Sequence, residues 1–391
     1  MFDLKIKKGV KGRRQTFKIL KKGLHPKDQT IWFHCASLGE YEQGLPVFES
    51  IRTTYPSHKT VLTFFSPSGY EIRKNAPIAD LVTYLPLDTK RNATRFLDIV
   101  NPEFTVFVKY DIWPNFLNEI KRRQGRAILI SALFRKNQSY FKWYGNHLQK
   151  ALQAFEHIFV QNESSKELLE NISIVHVTVS GDTRYDRVSN QLLQHNDLAF
   201  ISEFKDDSLC IVIGSSWPED EAILMSYINK QASKHLKFII APHNINNIQI
   251  DNITNKLNVK NVLFSEKANK VLSDYSVFII DTIGLLSKIY NYADIAYVGG
   301  AMGTTGLHNI LEPAVFGVPI IIGKNYNKFP EAKAMIENGG VISVNNSVSL
   351  EHQLDELIKS SEKRIQLGTI NKNFIQKNKG AVNQIVNYIR I

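Results

Sequence analysis

Residues 31–40 decide the fold of this chain: they read Ile31-Trp32-Phe33-His34-Cys35-Ala36-Ser37-Leu38-Gly39-Glu40. The apolar run predicts a buried strand, and the turn around Gly39 leads into a helix that begins near Tyr41. The carboxylate of Glu40 is therefore expected at the carboxyl edge of a sheet and at the positive end of a helix. Ligands of open α/β sheets bind at that edge, which makes Glu40 a candidate general base. The alternative is that Glu40 only complements the dipole of its helix.

Strand-like runs alternate with helical stretches along the whole chain, without an internal repeat. In the first half these runs are Ile31–Ala36, Thr60–Phe65, Leu81–Leu85, Phe104–Lys109, Arg126–Ile130, His157–Gln161 and His176–Ser180. In the second half they are Leu209–Ile213, Lys237–Ala241, Asn261–Phe264, Ser276–Ile280, Ile295–Val298 and Pro319–Ile322. Repeated strand–helix units predict parallel sheets with right-handed crossovers. We therefore predict an α/β protein of two Rossmann-like domains that face each other across a cleft.

The domain boundary is predicted near residue 190, because the stretch Asp186–Phe204 is polar and lacks a strong strand. The end of the chain, from Leu350 onward, is predicted to be helical. The predicted organisation is a basic membrane-proximal segment over 1–30, an N-terminal domain over 31–190 and a C-terminal domain over 191–391.

The positive charge of the chain is concentrated at its start. Residues 1–30 contain ten Lys or Arg and two Asp, which gives +8 of the total net charge of +11. Phe17, Leu20 and Leu24 interleave these cations at helical spacing, as in a basic amphipathic segment that binds an anionic membrane surface. The alternative is a solvated, partly disordered N-terminus. A nucleic-acid-binding protein would spread its charge more widely, so no nucleic-acid partner is predicted.

Several protein classes are disfavoured by what the sequence lacks. No stretch approaches the roughly 18 apolar residues needed to span a bilayer, and no apolar signal-peptide region follows the basic start. The two cysteines, Cys35 and Cys210, both lie in apolar runs, which fits a reducing compartment. A P-loop, a G-x-G-x-x-G motif and metal-ligand spacings are missing, so no cofactor and no metal are predicted. His34, inside the first strand, is interpreted as a core histidine.

Polar turns follow several predicted strands of the first half. Asp111 would share the carboxyl edge of the sheet with Glu40, so that one carboxylate takes a proton while the other orients or tunes it. The sequence alone favours the simpler interpretation that Asp111 caps a turn. The polar turns predicted at this edge are Ser37–Glu40, Ser66–Gly69, Tyr110–Pro114, Ser131 and Gly181–Arg184.

The second half offers two turns that suit anions. Gly214-Ser215-Ser216 follows a predicted strand, and its backbone N–H groups and hydroxyls can hold a phosphate, although an ordinary serine N-cap explains it equally well. The loop Gly299–Asn309 contains four glycines, which allow the backbone to approach a ligand closely. His308 and Asn309 can donate to phosphate oxygens, and Glu312 can accept from a ribose diol. The alternative is a flexible loop that leads into a core helix; we favour the functional interpretation.

These motifs occur together and in order in a known family. The chain resembles 3-deoxy-D-manno-octulosonic acid (Kdo) transferases, which add Kdo to lipid A precursors in Gram-negative bacteria. Motifs in register over most of the chain are far more specific than any one of them. The matching segments are His34–Glu40, Ser66–Gly69, Asp111–Asn115, Gly181–Asp186, Gly214-Ser215, Ala241–His243 and His308–Ala314.

The resemblance implies a GT-B type glycosyltransferase of lipopolysaccharide biosynthesis at the cytoplasmic face of the inner membrane. It implies inversion at the anomeric carbon without a metal, CMP-Kdo as the donor and a lipid A precursor as the acceptor. Glu40 falls on the family's catalytic base, and Asp111 is the second catalytic candidate. The donor-binding candidates lie in the second domain: Gly214, Ser215, Ser216, His243, Gly300, Gly303, His308, Asn309 and Glu312. The acceptor-binding candidates lie in the first: Ser37, Gly39, Ser66, Ser68 and Arg184.

The chain departs from the family pattern in three respects. Asp111 stands where the family commonly has glutamate, one methylene longer. His243 stands where a Pro-Arg pattern is frequent, so it is expected to replace an arginine near the donor's phosphate. Family members usually begin with an apolar membrane-anchoring helix, whereas this chain starts in what looks like the basic segment after it. Either its start is truncated, or it holds the membrane peripherally by charge and a few apolar side chains.

Two other functions fit the residues. One is a different sugar-nucleotide enzyme on the same fold, such as a UDP-sugar transferase or epimerase. The other is a non-catalytic protein that binds anionic lipid or nucleic acid through residues 1–30.

Overall fold

The computed structural model describes residues 2–109 and 111–389, with side chains from Ile6 onward. The chain divides into two compact units. The first unit comprises residues 1–187 and 378–391, and the second comprises residues 188–377.

The first unit is built on a seven-stranded sheet in which every neighbouring pair of strands is parallel. Its strand order is β3-β2-β1-β4-β5-β6-β7. The strands are Thr30–Cys35 (β1), Lys59–Phe64 (β2), Leu81–Tyr84 (β3), Pro102–Val108 (β4), Arg126–Ala132 (β5), His157–Val160 (β6) and Val177–Val179 (β7).

The second unit repeats this plan with a second parallel sheet of seven strands. Its strand order is β10-β11-β9-β8-β12-β13-β14. The strands are Leu209–Ser216 (β8), Leu236–Pro242 (β9), Asn261–Leu263 (β10), Val277–Ile279 (β11), Ile295–Val298 (β12), Ile320–Ile322 (β13) and Val341–Ser343 (β14).

Helices connect the strands. From the N-terminus to the end of the first sheet they are Phe2–Arg13 (α1), Thr16–Gly23 (α2), Leu38–Thr54 (α3), Pro67–Arg73 (α4), Lys90–Val100 (α5), Pro114–Arg122 (α6), Asn146–Leu152 (α7), Glu163–Glu170 (α8) and Thr183–Gln191 (α9). The remaining helices are Ala199–Lys205 (α10), Pro218–Gln231 (α11), Asn247–Lys256 (α12), Leu286–Ile289 (α13), Leu311–Val315 (α14), Pro330–Glu337 (α15), Ser347–Lys359 (α16), Ser361–Asn378 (α17) and Ala381–Tyr388 (α18). Short 3₁₀ turns occur at Ser139–Phe141, Phe264–Glu266, Leu272–Asp274 and Tyr290–Tyr292.

Helices cover both faces of the first sheet, as its sequence requires. All six residues of β1 are buried, because a parallel strand between two helical layers has no solvent-facing side. Successive side chains point to opposite faces. Trp32 packs against Phe96 of α5 in one core, and Phe33 stacks on Phe48 of α3 in the other, with ring centroids 4.2 Å apart.

The predicted α/β fold is confirmed, and each of the thirteen predicted strands is present within a few residues of its predicted bounds. The strand that the sequence analysis missed is β14, where only two consecutive apolar residues, Val341 and Ile342, precede a serine.

The predicted C-terminal domain needs a correction at its end. Residues 378–391 belong to the first unit, not to the second. The side chains of Ile385 and Ile389 are buried in the same core as Phe33 and Phe48. The carboxylate of Asp186 accepts hydrogen bonds from the backbone N–H groups of Gly380 and Ala381, at 2.9 and 3.1 Å. This contact fixes the N-terminus of α18 on the first unit.

The basic N-terminal segment is helical where it is described. Leu20 and Leu24 are buried against the first sheet. The hydroxyl of Thr16 donates to the carbonyl of Tyr84 at 2.9 Å. Across residues 2–109 and 111–389, no helix has both the length and the apolar character needed to cross a membrane.

Candidate active site

Each sheet has one position where the direction of strand addition reverses, and several of the predicted site residues follow the strands that border it. In the first sheet the reversal falls between β1 and β4, and in the second it falls between β8 and β12. Connections leave such a pair of strands in opposite directions, which opens a crevice at their carboxyl ends. Glu40 follows β1 and Asp111 follows β4, while Ser215 lies near the end of β8 and Gly299 follows β12.

Glu40 lies in the first turn of α3, where its half-buried carboxylate contacts two polar groups. The hydroxyl of Ser37 donates to Oε2 of Glu40. The Nζ of Lys109 lies 3.7 Å from Oε1. Lys109 has a φ of 72°, in the left-handed region, directly after β4. The chain therefore accepts an unfavourable backbone conformation at the lysine that faces this carboxylate.

Asp111 pairs with a histidine of the neighbouring strand. Its Oδ2 lies 2.5 Å from Nε2 of His34, which is fully buried in β1. The other ring nitrogen, Nδ1, lies 2.7 Å from the hydroxyl of Thr63, which also accepts from the indole N–H of Trp32. The side-chain contact with His34 adds to the interpretation of Asp111 as a turn cap, which stays a prediction.

The tautomer of His34 follows from its neighbours. The indole N–H of Trp113 lies 2.9 Å from Nε2 of His34, so this nitrogen either accepts from Trp113 or donates to Asp111. The shorter contact with a carboxylate is the stronger one. We therefore place the proton on Nε2, with the hydroxyl of Thr63 donating to Nδ1. The expected core histidine is buried and hydrogen-bonded as predicted, and it also orients a candidate catalytic residue.

The buried thiol of Cys35 lies near the carboxylates of both Glu40 and Asp111 at the edge of the first sheet. Burial, with added repulsion from the charges of Glu40 and Asp111, raises the pKa of the Cys35 thiol. Cys35 is the last residue of β1, between the strand that carries His34 and the turn that carries Glu40. The thiol therefore stays protonated and is not a nucleophile.

Ser66 and Ser68, both predicted to bind the acceptor, lie at the start of α4, beside the segment that carries Ser37. Ser66 caps α4, since its hydroxyl accepts from the backbone N–H of Ser68 at 3.3 Å. The hydroxyls of Ser66 and Ser68 lie 2.9 Å apart. The backbone N–H of Ser66 donates to the carbonyl of Ala36, next to Ser37. Gly39 lies in the exposed first turn of α3.

Arg184 lies in the first turn of α9, beside α3, and its guanidinium is paired with a carboxylate. It pairs with Asp182, with Nη2 2.7 Å from Oδ2. The hydroxyl of the preceding residue, Thr183, donates to the carbonyl of Gln43 at 2.5 Å, about one turn of α3 from Glu40. Contact of Arg184 with an acceptor stays a prediction.

In the second unit, the loop Gly299–Asn309, called the glycine loop below, has no room for a side chain at two of its glycines. Gly300 has a φ of 96°, and a Cβ there would lie 2.1 Å from the carbonyl oxygen of Gly306. A Cβ on Gly299 would lie 2.4 Å from the carbonyl oxygen of Ser215. The loop after β12 thus packs backbone-to-backbone against the turn after β8, and side chains are excluded.

Asp220 holds this loop, and the sequence analysis did not single it out. Its side chain is fully buried in the first turn of α11. One carboxylate oxygen accepts from the backbone N–H groups of Gly300 and Trp217, at 2.8 and 2.9 Å. The other accepts from the hydroxyl of Tyr297 at 2.8 Å. An acid three residues into a helix suggests only a capping role, so the sequence carried no signal for this long-range contact.

Two of the donor-binding candidates form a stack of rings with Trp217. The rings of His243 and Trp217 are 4.4 Å apart and nearly parallel, and His308 lies 4.6 Å from His243. Burial, with repulsion from His243, lowers the pKa of His308 to about 4, and burial lowers the pKa of His243. Nε2 of His308 accepts from the indole N–H of Trp217 at 3.0 Å. A neutral imidazole that accepts on Nε2 carries its proton on Nδ1.

The remaining candidates have internal partners. The hydroxyl of Ser216 is buried and donates to Glu221 at 3.0 Å, which suggests support of the turn rather than ligand contact. The side-chain amide of Asn309 donates to Glu312 at 3.1 Å. Gly303 lies against the side chain of Glu219. In the part of the chain that the structure describes, no three His, Cys, Asp or Glu side chains converge as a metal site.

Comparison with known proteins supports the resemblance found in the motifs. Residues 11–187 match the family described as 3-deoxy-D-manno-octulosonic-acid transferase (kdotransferase). A protein of that name from Haemophilus influenzae is 28% identical over 378 residues, which covers 93% of this chain and 87% of the relative. Another from Aquifex aeolicus is 27% identical, over 90% of this chain and 93% of the relative.

The first unit of this chain matches the Kdo transferase family, and relatives of that name align with most of the chain. The resemblance stated from the motifs and the predicted glycosyltransferase class are thereby confirmed. Among solved structures, a UDP-GlcNAc 2-epimerase from Neisseria meningitidis is similar over 92% of this chain and 99% of that one, with a TM-score of 0.63 and 16% sequence identity. This likeness shows the GT-B-like fold alone.

Proposed function

We propose that this Kdo transferase moves Kdo from CMP-Kdo to a hydroxyl of a lipid A precursor, with Glu40 as the general base. In this proposal the second unit binds CMP-Kdo and the first binds the acceptor. The reaction inverts the anomeric carbon, needs no metal, and belongs to lipopolysaccharide biosynthesis at the cytoplasmic face of the inner membrane. One observation carries the proposal. Glu40 lies where the strand order of the first sheet reverses, in the unit that matches the family.

Glu40 acts on the attacking hydroxyl. As the acceptor oxygen forms its bond to the anomeric carbon, the bond from that carbon to the phosphate oxygen breaks on the opposite face, which inverts the carbon. The proton of the hydroxyl passes to Glu40, and the electron pair of the broken bond leaves with CMP. Asp111, held by His34, is suited to hydrogen-bond the acceptor rather than to take this proton.

The second unit stabilises the leaving phosphate. The backbone at Gly214-Ser215 and in the glycine loop supplies N–H groups at the carboxyl edge of the sheet. Nδ1–H of His308 is a further donor, and Glu312 can accept from the ribose diol. CMP is a good leaving group, so preorganised donors are sufficient and neither a general acid nor a metal is invoked.

The test is a transfer assay read by mass spectrometry. We expect CMP-Kdo and a lipid A precursor, incubated with the protein, to give the precursor enlarged by one or more Kdo units and an equivalent amount of CMP. Thermal-shift titration should show stabilisation by CMP and a weaker effect of UDP or UDP-GlcNAc. No transfer together with preferential stabilisation by UDP would instead support a UDP-sugar enzyme.

We also propose that the first unit docks on an anionic membrane surface, from which its acceptor comes. Two exposed features lie on the carboxyl edge that carries Glu40. The first is α1, whose Ile6 and Val10 are about half exposed among lysines. Its last residue, Arg13, donates to the carbonyls of Phe65 and Leu85, at 2.5 and 3.1 Å, just beyond β2 and β3.

The second feature is the loop after β5. Trp143 is 94% exposed and Tyr144 is 59% exposed, with their rings edge-to-face. Exposed cations flank this aromatic pair: Arg135, Lys136 and Lys142. Tryptophan and tyrosine beside lysine and arginine is the composition of a protein segment at the lipid headgroup level.

Vesicle binding tests the membrane proposal. We expect the protein to sediment with vesicles of phosphatidylcholine and phosphatidylglycerol, and much less with phosphatidylcholine alone or at high salt. Trp143→Ala should reduce the bound fraction by roughly threefold or more. Leu193→Ala removes a side chain that is 85% exposed in the second unit and should bind as the wild type does. Equal binding of both variants would contradict a role for the loop.

A further inference from the structure

A cavity of about 360 Å³ opens beside the glycine loop. One of its two walls contains none of the predicted donor-binding residues. One wall is the glycine-loop segment 303–306. The other wall comes from the segment after β13, through Asn325, Asn327, Lys328 and Phe329. Because β13 pairs with β12, both walls lie at the same edge of the second sheet. The cavity volume is within the usual range for sites that hold small molecules.

The two walls are tied together. The side-chain amide of Asn325 donates to the carbonyls of Met302 and Gly303, at 3.2 and 2.7 Å, and its backbone N–H donates to the carbonyl of Ala301 at 2.8 Å. A Cβ on Gly323 would lie 2.3 Å from the backbone nitrogen of Met302. Backbone packing and the Asn325 side chain therefore hold the two walls of the cavity together.

The lining is polar, with one cation. Thr304 and Thr305 bring hydroxyls, Asn327 brings an amide, and Lys328 brings the ammonium group. Among the residues that the structure describes, Lys328 has no carboxylate within salt-bridge distance. The lining therefore suits a ligand with many hydroxyls and one negative charge.

We propose that this cavity holds the donor sugar and that Lys328 pairs with the sugar's carboxylate. The inference rests on the proposed function, which places the phosphate of CMP-Kdo at Gly300 and His308. The sugar is bonded directly to that phosphate, and the cavity begins three residues farther along the same loop, at Gly303. Kdo carries a carboxylate next to its anomeric carbon as well as several hydroxyls, which matches the lining. Lys328 then discriminates acidic sugars from neutral ones.

The test compares the affinity for CMP-Kdo with the affinity for CMP. Lys328→Met should raise the KM for CMP-Kdo by about tenfold or more, since a charge-assisted contact is lost. The Kd for CMP should stay within about twofold of the wild-type value, because the lysine contacts only the sugar. Lys328→Arg should retain most of the affinity for CMP-Kdo. Lys324→Met, on the same segment but outside the cavity, is the matched control and should leave both constants unchanged.

Three results would overturn this assignment. An unchanged KM in Lys328→Met would show that the lysine does not meet the sugar. An equal loss of CMP affinity would assign the lysine to the nucleotide instead. If the wild-type protein binds neither CMP nor CMP-Kdo, the proposed function itself fails and the assignment falls with it. A raised KM with intact CMP binding supports both.

Discussion

Glu40→Gln is expected to lower kcat for Kdo transfer by about 10²–10⁴-fold, the usual contribution of a general base. The amide keeps the shape of the side chain and can still accept from the hydroxyl of Ser37, but it cannot take the acceptor's proton. The KM for CMP-Kdo should change little, since the donor is assigned to the second unit. The measurement is steady-state transfer with CMP release as the readout.

The matched control for this variant is Glu49→Gln, which changes the same residue type on the exposed part of the same helix. It should retain wild-type kcat. A near-normal kcat in Glu40→Gln would rule out the proposed base. A similar loss in both variants would point to damage of α3 and not to lost proton transfer.

Asp220→Ala is expected to have the largest effect in the second unit. Removing the carboxylate leaves the hydroxyl of Tyr297 and the N–H groups of Trp217 and Gly300 without their buried acceptor. Each such loss costs about 1–3 kcal/mol, so the free energy of unfolding of this unit should fall by roughly 3 kcal/mol or more. The glycine loop loses its anchor, and the affinity for CMP should fall by at least about tenfold.

Two variants test whether the hydrogen bonds of Asp220, and not its negative charge, account for this loss. Asp220→Asn keeps the shape, and its amide can accept from both N–H groups while donating to the oxygen of Tyr297, so it should recover much of the Tm and of the CMP affinity. Asp207→Ala removes an exposed carboxylate and should change neither. Thermal denaturation and CMP titration give the two readouts. A normal Tm in Asp220→Ala would contradict the anchoring role.

The sequence allowed the architecture to be predicted because the signals are local. The run at residues 31–36 is apolar except for His34, as expected for a strand covered on both faces, and the other central strands are also mainly apolar. The three-residue strand β14 fell below this signal, since its run of Val341 and Ile342 is too short to have a period. The helical C-terminus was predicted, but amphipathic spacing does not say which sheet a helix covers, and α18 covers the first.

The site was predictable to the extent that its residues follow strands directly. Glu40 and the glycine loop could be found because a turn after a strand implies the carboxyl edge. The pairs His34–Asp111 and Tyr297–Asp220 could not, because each joins residues 77 positions apart through contacts that only the folded chain creates. His34 looked like core and Asp220 looked like a cap, and each does have that local role as well.

The return of the chain to its first unit constrains how the protein can be made. The first unit is interrupted by the whole of the second, so α18 is synthesised only after the second unit. Until then the core around Phe33 and Phe48 lacks Ile385 and Ile389, so the unit that carries Glu40 is completed only after the second unit has been translated. A fragment that stops at residue 187 therefore lacks part of its own interior, and dissection into independent halves requires the terminal helix to be joined back to the first half.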